Sequence, residues 1–459
     1  MSAPLLRPLR GLLTPPRAPG FRQRTVLRLW DGYAALASSL CGFRDRSPGD
    51  VPPSGGTAEY LAEFFRRHAA ESLLPFWRKH SPDPECGGFF TLLDRRGGVL
   101  EDGGKSTAMQ GRMVYGLTLG ASLSGDPVYL DLARQGVDFL IRHGWDGRHG
   151  GWVQNLTRAG GVLHPGKHSF TQAFVMLGLA EYARASGEAR ALDWAERTYA
   201  LAERHLWDER HGGYFESGES DWRPGSTDKT VCIQLDMMIA AMALAAATRR
   251  PAYAARAREL ASLVRDRMRD PGRGGILERF SADWGYRPVP SRDQLWIGHC
   301  LKAAWLLLEL DLLTGNREFR PLADELVDFC LNRGWDPRHG GFFQYVFRNG
   351  RVARGEKVWW TQCEGIQALL LRQALDGKTG PGDRFRRLAD FSFSHFADAE
   401  FGEWFTSCRA DGTVRDDRKG GAWKAAYHTV QMCHAAATYL GRPGGRLGIF
   451  APGAGGVRP

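Results

Sequence analysis

What the chain lacks narrows it first. Its eight cysteines are spread over 459 residues and form no CxxC pair or cluster, so the common zinc-ligand spacings are absent. Isolated thiols in a chain this long point to a reducing compartment, and the expected location is cytoplasmic. No run comes close to eighteen uninterrupted apolar residues, which leaves no membrane span to expect. The P-loop, GxGxxG, GxSxG and HExxH patterns are all missing. Nothing therefore marks a nucleotide cofactor, a serine nucleophile or a catalytic metal. The expectation is a protein with no cofactor and no metal.

Acidic residues are scarce only at the ends. The formal charge is +10, but residues 1–50 hold eight Arg against three acids, and residues 441–459 hold three Arg and no acid. The body between them carries only +2. A basic balance confined to the tails gives no groove for nucleic acid. Residues 1–56, rich in Arg, Pro and Leu, read as a disordered extension. A targeting peptide is the weaker reading, since no clean apolar core leads into a small-residue cleavage site. The Gly/Pro-rich residues 441–459 read as a disordered tail. Residues 57–440 are left as one large domain.

What that domain has in abundance is one recurring signal. A Gly-Gly-aromatic group, usually after an Asp, occurs in DPECGGFF (83–90), WDGRHGGW (145–152), WDERHGGYF (207–215), DPGRGGIL (270–277), WDPRHGGFF (335–343) and, as a single Gly, DAEFGEWF (398–405). Successive copies lie 63, 62, 62, 66 and about 62 residues apart. Between copies come two helical patterns. The first is apolar around most of its circumference, as in LWIGHCLKAAWLLLEL (295–310), and such a helix is buried on all sides. The second is amphipathic. Only one helix follows the last signal, and its missing outer partner is available at 58–77. Six inner helices inside six outer ones make an all-α (α/α)6 barrel closed by the two chain ends, with short β-hairpin loops at one end. A six-bladed propeller is the rival for six repeats, but its repeats are shorter and built of strands.

The repeat also supplies a ruler. Charged residues open the inner helices: Lys105, Lys167, Lys229, Arg292-Asp293, Lys357 and Lys424. Seven residues on stand Arg112, Phe174, Asp236, His299, Glu364 and Gln431. Five of these six are polar on helices meant to be buried, and unpartnered burial of such groups is costly. They are expected to line a wet cavity on the barrel axis. Gln172, Gln234, Gln362 and His428 are expected at a similar depth. A lone histidine on a core helix is usually structural; the shared ring level is what makes His299 and His428 candidates. Trp359, Trp360 and Trp423 near the mouth would offer flat faces to a sugar ring. Two histidines, an arginine and carboxylates suit proton transfer beside a carbonyl.

At this point the chain resembles the N-acylglucosamine 2-epimerase family, which also holds cellobiose 2-epimerases and aldose–ketose isomerases. The resemblance runs over about 57–440. It is carried by KSTAMQGR (105–112), GHCLKAAWLLLE (298–309), KVWWTQCEG (357–365) and FGEWFTSCRADGTV with KGGAWKAAYH (401–428). It implies an (α/α)6 barrel and cofactor-independent epimerisation or isomerisation of a sugar through an enediolate. His299 and His428 match the acid/base pair, Arg112 the arginine on the C1–C2 oxygens, and Glu364 a carboxylate of the site. Gln172, Asp236, Trp359, Trp360, Trp423, Lys302 and Gln431 are the expected substrate-binding residues. The chain departs from the family in four places. Lys302 stands where Gly-His-x-x-Glu has Glu, and a nearby ammonium is expected to bias His299 towards the neutral base. Gln172 replaces a frequent His, Asp236 an Asn or His, and Gln431 an Arg.

The leading expectation is thus a carbohydrate epimerase or isomerase acting on a monosaccharide, N-acetylhexosamine or disaccharide. A glycoside hydrolase on the same barrel would use Asp236 and Glu364 as facing carboxylates, but leaves the histidines unexplained. A non-catalytic sugar-binding relative is the third reading, motivated by Lys302 and Gln431. The oligomeric state is left open, a homodimer included.

Overall fold

Each repeat turns from inner to outer helix within a few residues, and the residue at the turn explains how. The computed structural model describes residues 57–100, 104–288, 293–352, 355–377, 382–441 and 448–450. The inner helix α3 (Thr107–Ser124) is followed by Gly125 at φ 70°, a left-handed position that suits glycine at a helix C-terminus. Its outer helix α4 (Val128–Phe139) starts three residues later. Before them lie α1 (Ala58–His68), a π turn and α2 (Leu74–His80). After them come α5 (Ser169–Ser186), α6 (Ala189–His205), α7 (Val231–Thr248), α8 (Pro251–Leu263), α9 (Ile297–Thr314), α10 (Arg320–Phe329), α11 (Trp359–Leu375), α12 (Asp383–His395) and α13 (Tyr427–Leu440).

The packing is a closed ring. The inner helices α3, α5, α7, α9, α11 and α13 touch in that order, and α13 returns to α3. Outer helices α4, α6, α8, α10 and α12 each lie on the inner helix before them, and α1 lies on α13. The expected (α/α)6 barrel, with the first helix supplying the last outer partner, is what forms. The core follows from composition: α3, α5, α7 and α9 are buried along almost their whole length. Helix α7 is long and apolar enough to cross a membrane, but it carries Gln234 and Asp236 and is buried in the barrel.

At one end, short antiparallel strands tie each repeat to the next. Lys105–Ser106 pairs with Asn155–Leu156, Lys167–His168 with Ser217–Gly218, and Lys229–Thr230 with Arg279–Phe280. Gln294–Trp296 pairs with Tyr345–Phe347, and Glu356–Val358 with Ser407–Arg409. In the sixth place, Lys419 N–H and Gly420 N–H donate to the Leu93 carbonyl and close the ring.

Two recurring clamps hold this end. The strand lysine reaches back to the Asp of its own signal: Lys105 to Asp83, Lys167 to Asp146 and Lys357 to Asp336 at 2.8 Å, and Lys229 to Asp208 at 2.7 Å. Burial by itself would raise the Asp336 carboxyl. The Lys357 ammonium and the His339 N–H outweigh it and hold the group below its usual range. The second clamp is a glutamine five residues after each lysine. The Gln172 amide accepts from Trp152 N–H at 3.0 Å and donates to Trp152 C=O at 2.8 Å. Gln110, Gln234 and Gln362 do the same for Phe89, Tyr214 and Phe342.

Three expectations are corrected here. The lysine of the sixth repeat is Lys419, which lies 3.1 Å from Asp398 and donates to Gly402 C=O at 2.8 Å. Lys424 occupies the glutamine place and donates to Trp404 C=O, while Glu403 accepts from Trp404 N–H at 3.0 Å. Arg292 lies outside the described residues, and strand pairing puts Leu295 in the lysine position of the fourth repeat. Within the tail read as disordered from its Gly and Pro content, the described Ile449 and Phe450 are buried, and Ile449 N–H donates to Glu309 at 3.1 Å. Two large apolar side chains outweigh the local composition. The 1–56 extension lies outside the described residues.

Candidate active site

The corrected register changes which residues share a level. Counting seven from Lys105, Lys167, Lys229, Leu295, Lys357 and Lys419 gives Arg112, Phe174, Asp236, Lys302, Glu364 and Ala426. The level is real. Lys302 pairs with Asp236, and its ammonium is 5.8 Å from the Phe174 ring centre. The Arg112 guanidinium lies 3.9 Å from the same ring. His299 sits three residues earlier on α9, one turn nearer the hairpin end. His428 reaches the site because α13 starts eight residues after its lysine, whereas α3, α5, α7 and α11 start two residues after theirs.

Each histidine is oriented through Nδ1 by a carboxylate. His299 Nδ1 is 2.7 Å from Glu278, whose other oxygen accepts from Trp296 N–H at 3.1 Å. His428 Nδ1 is 2.8 Å from Glu364, whose other oxygen accepts from the Trp305 indole. A carboxylate on Nδ1 fixes the ring and leaves Nε2 for a substrate. Trp360 is in ring contact with both histidines, its ring centre 5.3 Å from His299 and 5.8 Å from His428. Trp296 stacks on His299 at 5.6 Å.

The electrostatics separate the members. Burial, and then the charges of Arg112 and Lys302, push the His428 imidazole well below its ordinary value. Burial raises Glu364 to about 7 against the opposing pull of Lys302 and Trp305. Burial also lowers the Arg112 guanidinium, with Asp236 opposing; an arginine keeps its charge through such a shift. Arg112 donates to the Trp423 carbonyl at 2.7 Å. The pairing of Lys302 with Asp236 corrects the expected electrostatic role of this lysine. Its ammonium is committed to Asp236 and acts on His428, while His299 obtains its carboxylate from Glu278.

The other expected residues divide. Trp359 is buried with its ring centre 6.1 Å from His428. Trp423 is 58% exposed and forms the lip over Arg112. Gln431 is buried and donates to Gln367 at 2.9 Å. Gln172 does not line the site, because both ends of its amide are taken by the Trp152 backbone. Sequence reasoning missed Glu278, Trp305 and Cys232, whose thiol lies 3.4 Å from Asp236. A signal for Glu278 existed: Gln154, Glu216, Glu278 and Gln344 recur two residues past the signal aromatic or its Ile276 equivalent. Trp305 lies three residues beyond Lys302, on the same helix face. Among the described residues, no three His, Cys, Asp or Glu side chains form a metal-holding group.

Residues 88–432 match the model of the N-acylglucosamine 2-epimerase (GlcNAc 2-epimerase) family. The chain belongs to this family. A cellobiose 2-epimerase of Bacteroides fragilis is 26% identical over 82% of this chain and 98% of its own length. The human N-acylglucosamine 2-epimerase is 28% identical over 80% of this chain and 86% of its own. A crystal structure of a D-mannose isomerase superposes with a TM-score of 0.76 at 26% identity, covering 82% of this chain and 97% of that one. The isomerase class expected from the sequence stands, and so does the fold. Within the epimerase family frame, the two histidines that matched the acid/base motifs converge on one tryptophan.

Proposed function

We propose that this chain is a cofactor-independent sugar 2-epimerase that moves the C2 proton of a ring-opened aldose between two histidines. The observation that carries the proposal is the pair of carboxylate-held imidazoles that both contact Trp360. His428, held neutral by burial, takes the C2 proton. The electrons move to the C1 oxygen and give an enediolate, which the Arg112 guanidinium stabilises. His299 returns a proton to the opposite face. The reverse reaction exchanges their roles. Trp360 and Trp359 supply flat apolar surface to the sugar. Free thiols at all seven described cysteines fit a cytoplasmic setting.

Return of the proton to C1 would give a ketose from the same intermediate, and the likeness to a D-mannose isomerase favours keeping this second outcome. One experiment separates them. The protein is incubated in D2O with aldoses, N-acetylhexosamines and β-1,4 disaccharides and followed by NMR. Deuterium at C2 with inverted configuration marks epimerisation, and a ketose marks isomerisation. Binding of a sugar without exchange would overturn the catalytic proposal.

A further inference from the structure

Repeat four breaks the lysine clamp, and a cavity opens where the clamp would be. In repeat one, Lys105 donates to Asp83, Gly87 C=O and Arg158 C=O, and the Arg158 guanidinium also grips Asp83. The matching set in repeat four is Asp270, Gly274, Arg348 and, in place of the lysine, Leu295. Arg348 grips Asp270 at 2.6 and 3.1 Å, as Arg158 grips Asp83. Leu295 is too short and apolar to enter. A cavity of about 530 Å³ remains, lined among others by Leu295, Phe329, Arg273, Arg333, Arg348 and Asn349.

The charge of this cavity differs from its counterpart. In repeat one, Asp83 and Glu85 balance Lys105 and Arg158. In repeat four, Arg273 donates to the Arg348 carbonyl at 2.9 Å, taking the acceptor that the lysine uses elsewhere. Asp270 is fully buried and committed to Arg348 and to the Gly272 N–H. Among the described residues, Arg348 is paired with Asp270, and no carboxylate pairs with Arg273 or Arg333. We propose that the cavity behind Leu295 is a binding site for a small oxyanion, a phosphate- or carboxylate-bearing molecule held by Arg273, Arg333 and Arg348. Planar guanidinia recognise such groups in two-pronged fashion.

The test is calorimetric titration of the full chain with pyrophosphate and, separately, with citrate. One saturable site for either supports the proposal, and the stronger ligand names the source. Leu295→Glu sets a carboxylate of the chain's own among Arg273, Arg333 and Arg348, in competition with a bound anion. It should weaken binding by about tenfold or more while sugar turnover is kept. Arg273→Met with Arg333→Met, both exposed positions, should weaken it similarly and decides the matter if the glutamate variant fails to fold. No saturable binding of either anion overturns the proposal. Binding unchanged in the variants, or a site that takes propylammonium in place of both anions, also overturns it.

Discussion

Repeats one, two, three and five differ from repeats four and six in how their loops are held. The regular four keep the lysine clamp and the glutamine clamp. Repeat four has Leu295 and Cys300 in those places. Repeat six uses Lys424 and Glu403 where a glutamine would stand, with Glu403 at φ 56°, and delays its inner helix. The two histidines belong to these two irregular repeats. The regular repeats one and five still supply Arg112 and Glu364, so what departs from the local rules is the placing of the two histidines.

The largest effect should come from the irregular pair. His299→Asn or His428→Asn should each lower kcat by about a thousandfold, the scale of general acid–base catalysis. A comparable loss from changing His149 or His211 in the regular loops would break the division.

Next comes the buried pair that joins regular repeat three to repeat four. Lys302→Met leaves Asp236 buried without its cation and should cost about 3–5 kcal/mol in denaturant unfolding. Adding Asp236→Leu should recover most of that stability. No recovery would show that the lysine acts through something other than the pair.

Gln172→Ala should cost about 2–3 kcal/mol, because it strands both backbone groups of Trp152 in the core. Its KM for sugar should stay unchanged. A raised KM with little loss of stability would return Gln172 to the substrate-binding set.

Glu364→Gln should lower kcat/KM about tenfold and alter its pH profile. The Glu364 carboxyl titrates near 7. Above that pH the carboxylate accepts Nδ1–H of His428 and leaves Nε2 as the base. Below it the protonated carboxyl donates to Nδ1, and Nε2 carries the hydrogen. Activity should therefore fall as pH drops through about 7, and the glutamine variant should lose that limb. A limb that persists unchanged would assign the titration elsewhere in the pair.

The ring was legible because each repeat repeats its whole chemistry at 62–66 residues. Arg112, Asp236 and Glu364 fell on the correct level because their repeats are regular. His299 and Gln431 were assigned to that level by starting from Arg292 and Lys424, charges that look like the clamp lysine but are not. Counting from the Asp of each signal would have found Lys419, which follows Asp398 by 21 residues as Lys167 follows Asp146. The glutamine clamps were misread as cavity residues because a buried amide looks the same in sequence whether it faces water or a backbone. Glu278 acts across a hairpin onto a helix 21 residues away, a relation that only the folded register reveals. The tail anchor depended on Glu309 and Tyr439 meeting in space, 130 residues apart.

The central claim is that His299 and His428 work on opposite faces of one carbon. Its direct test is solvent deuterium wash-in at C2, measured from each epimer in His299→Asn and in His428→Asn. Each variant should exchange the C2 hydrogen of one epimer only, a different epimer for each, with no inversion. Exchange of the same epimer by both variants, or inversion retained in either, would contradict the account.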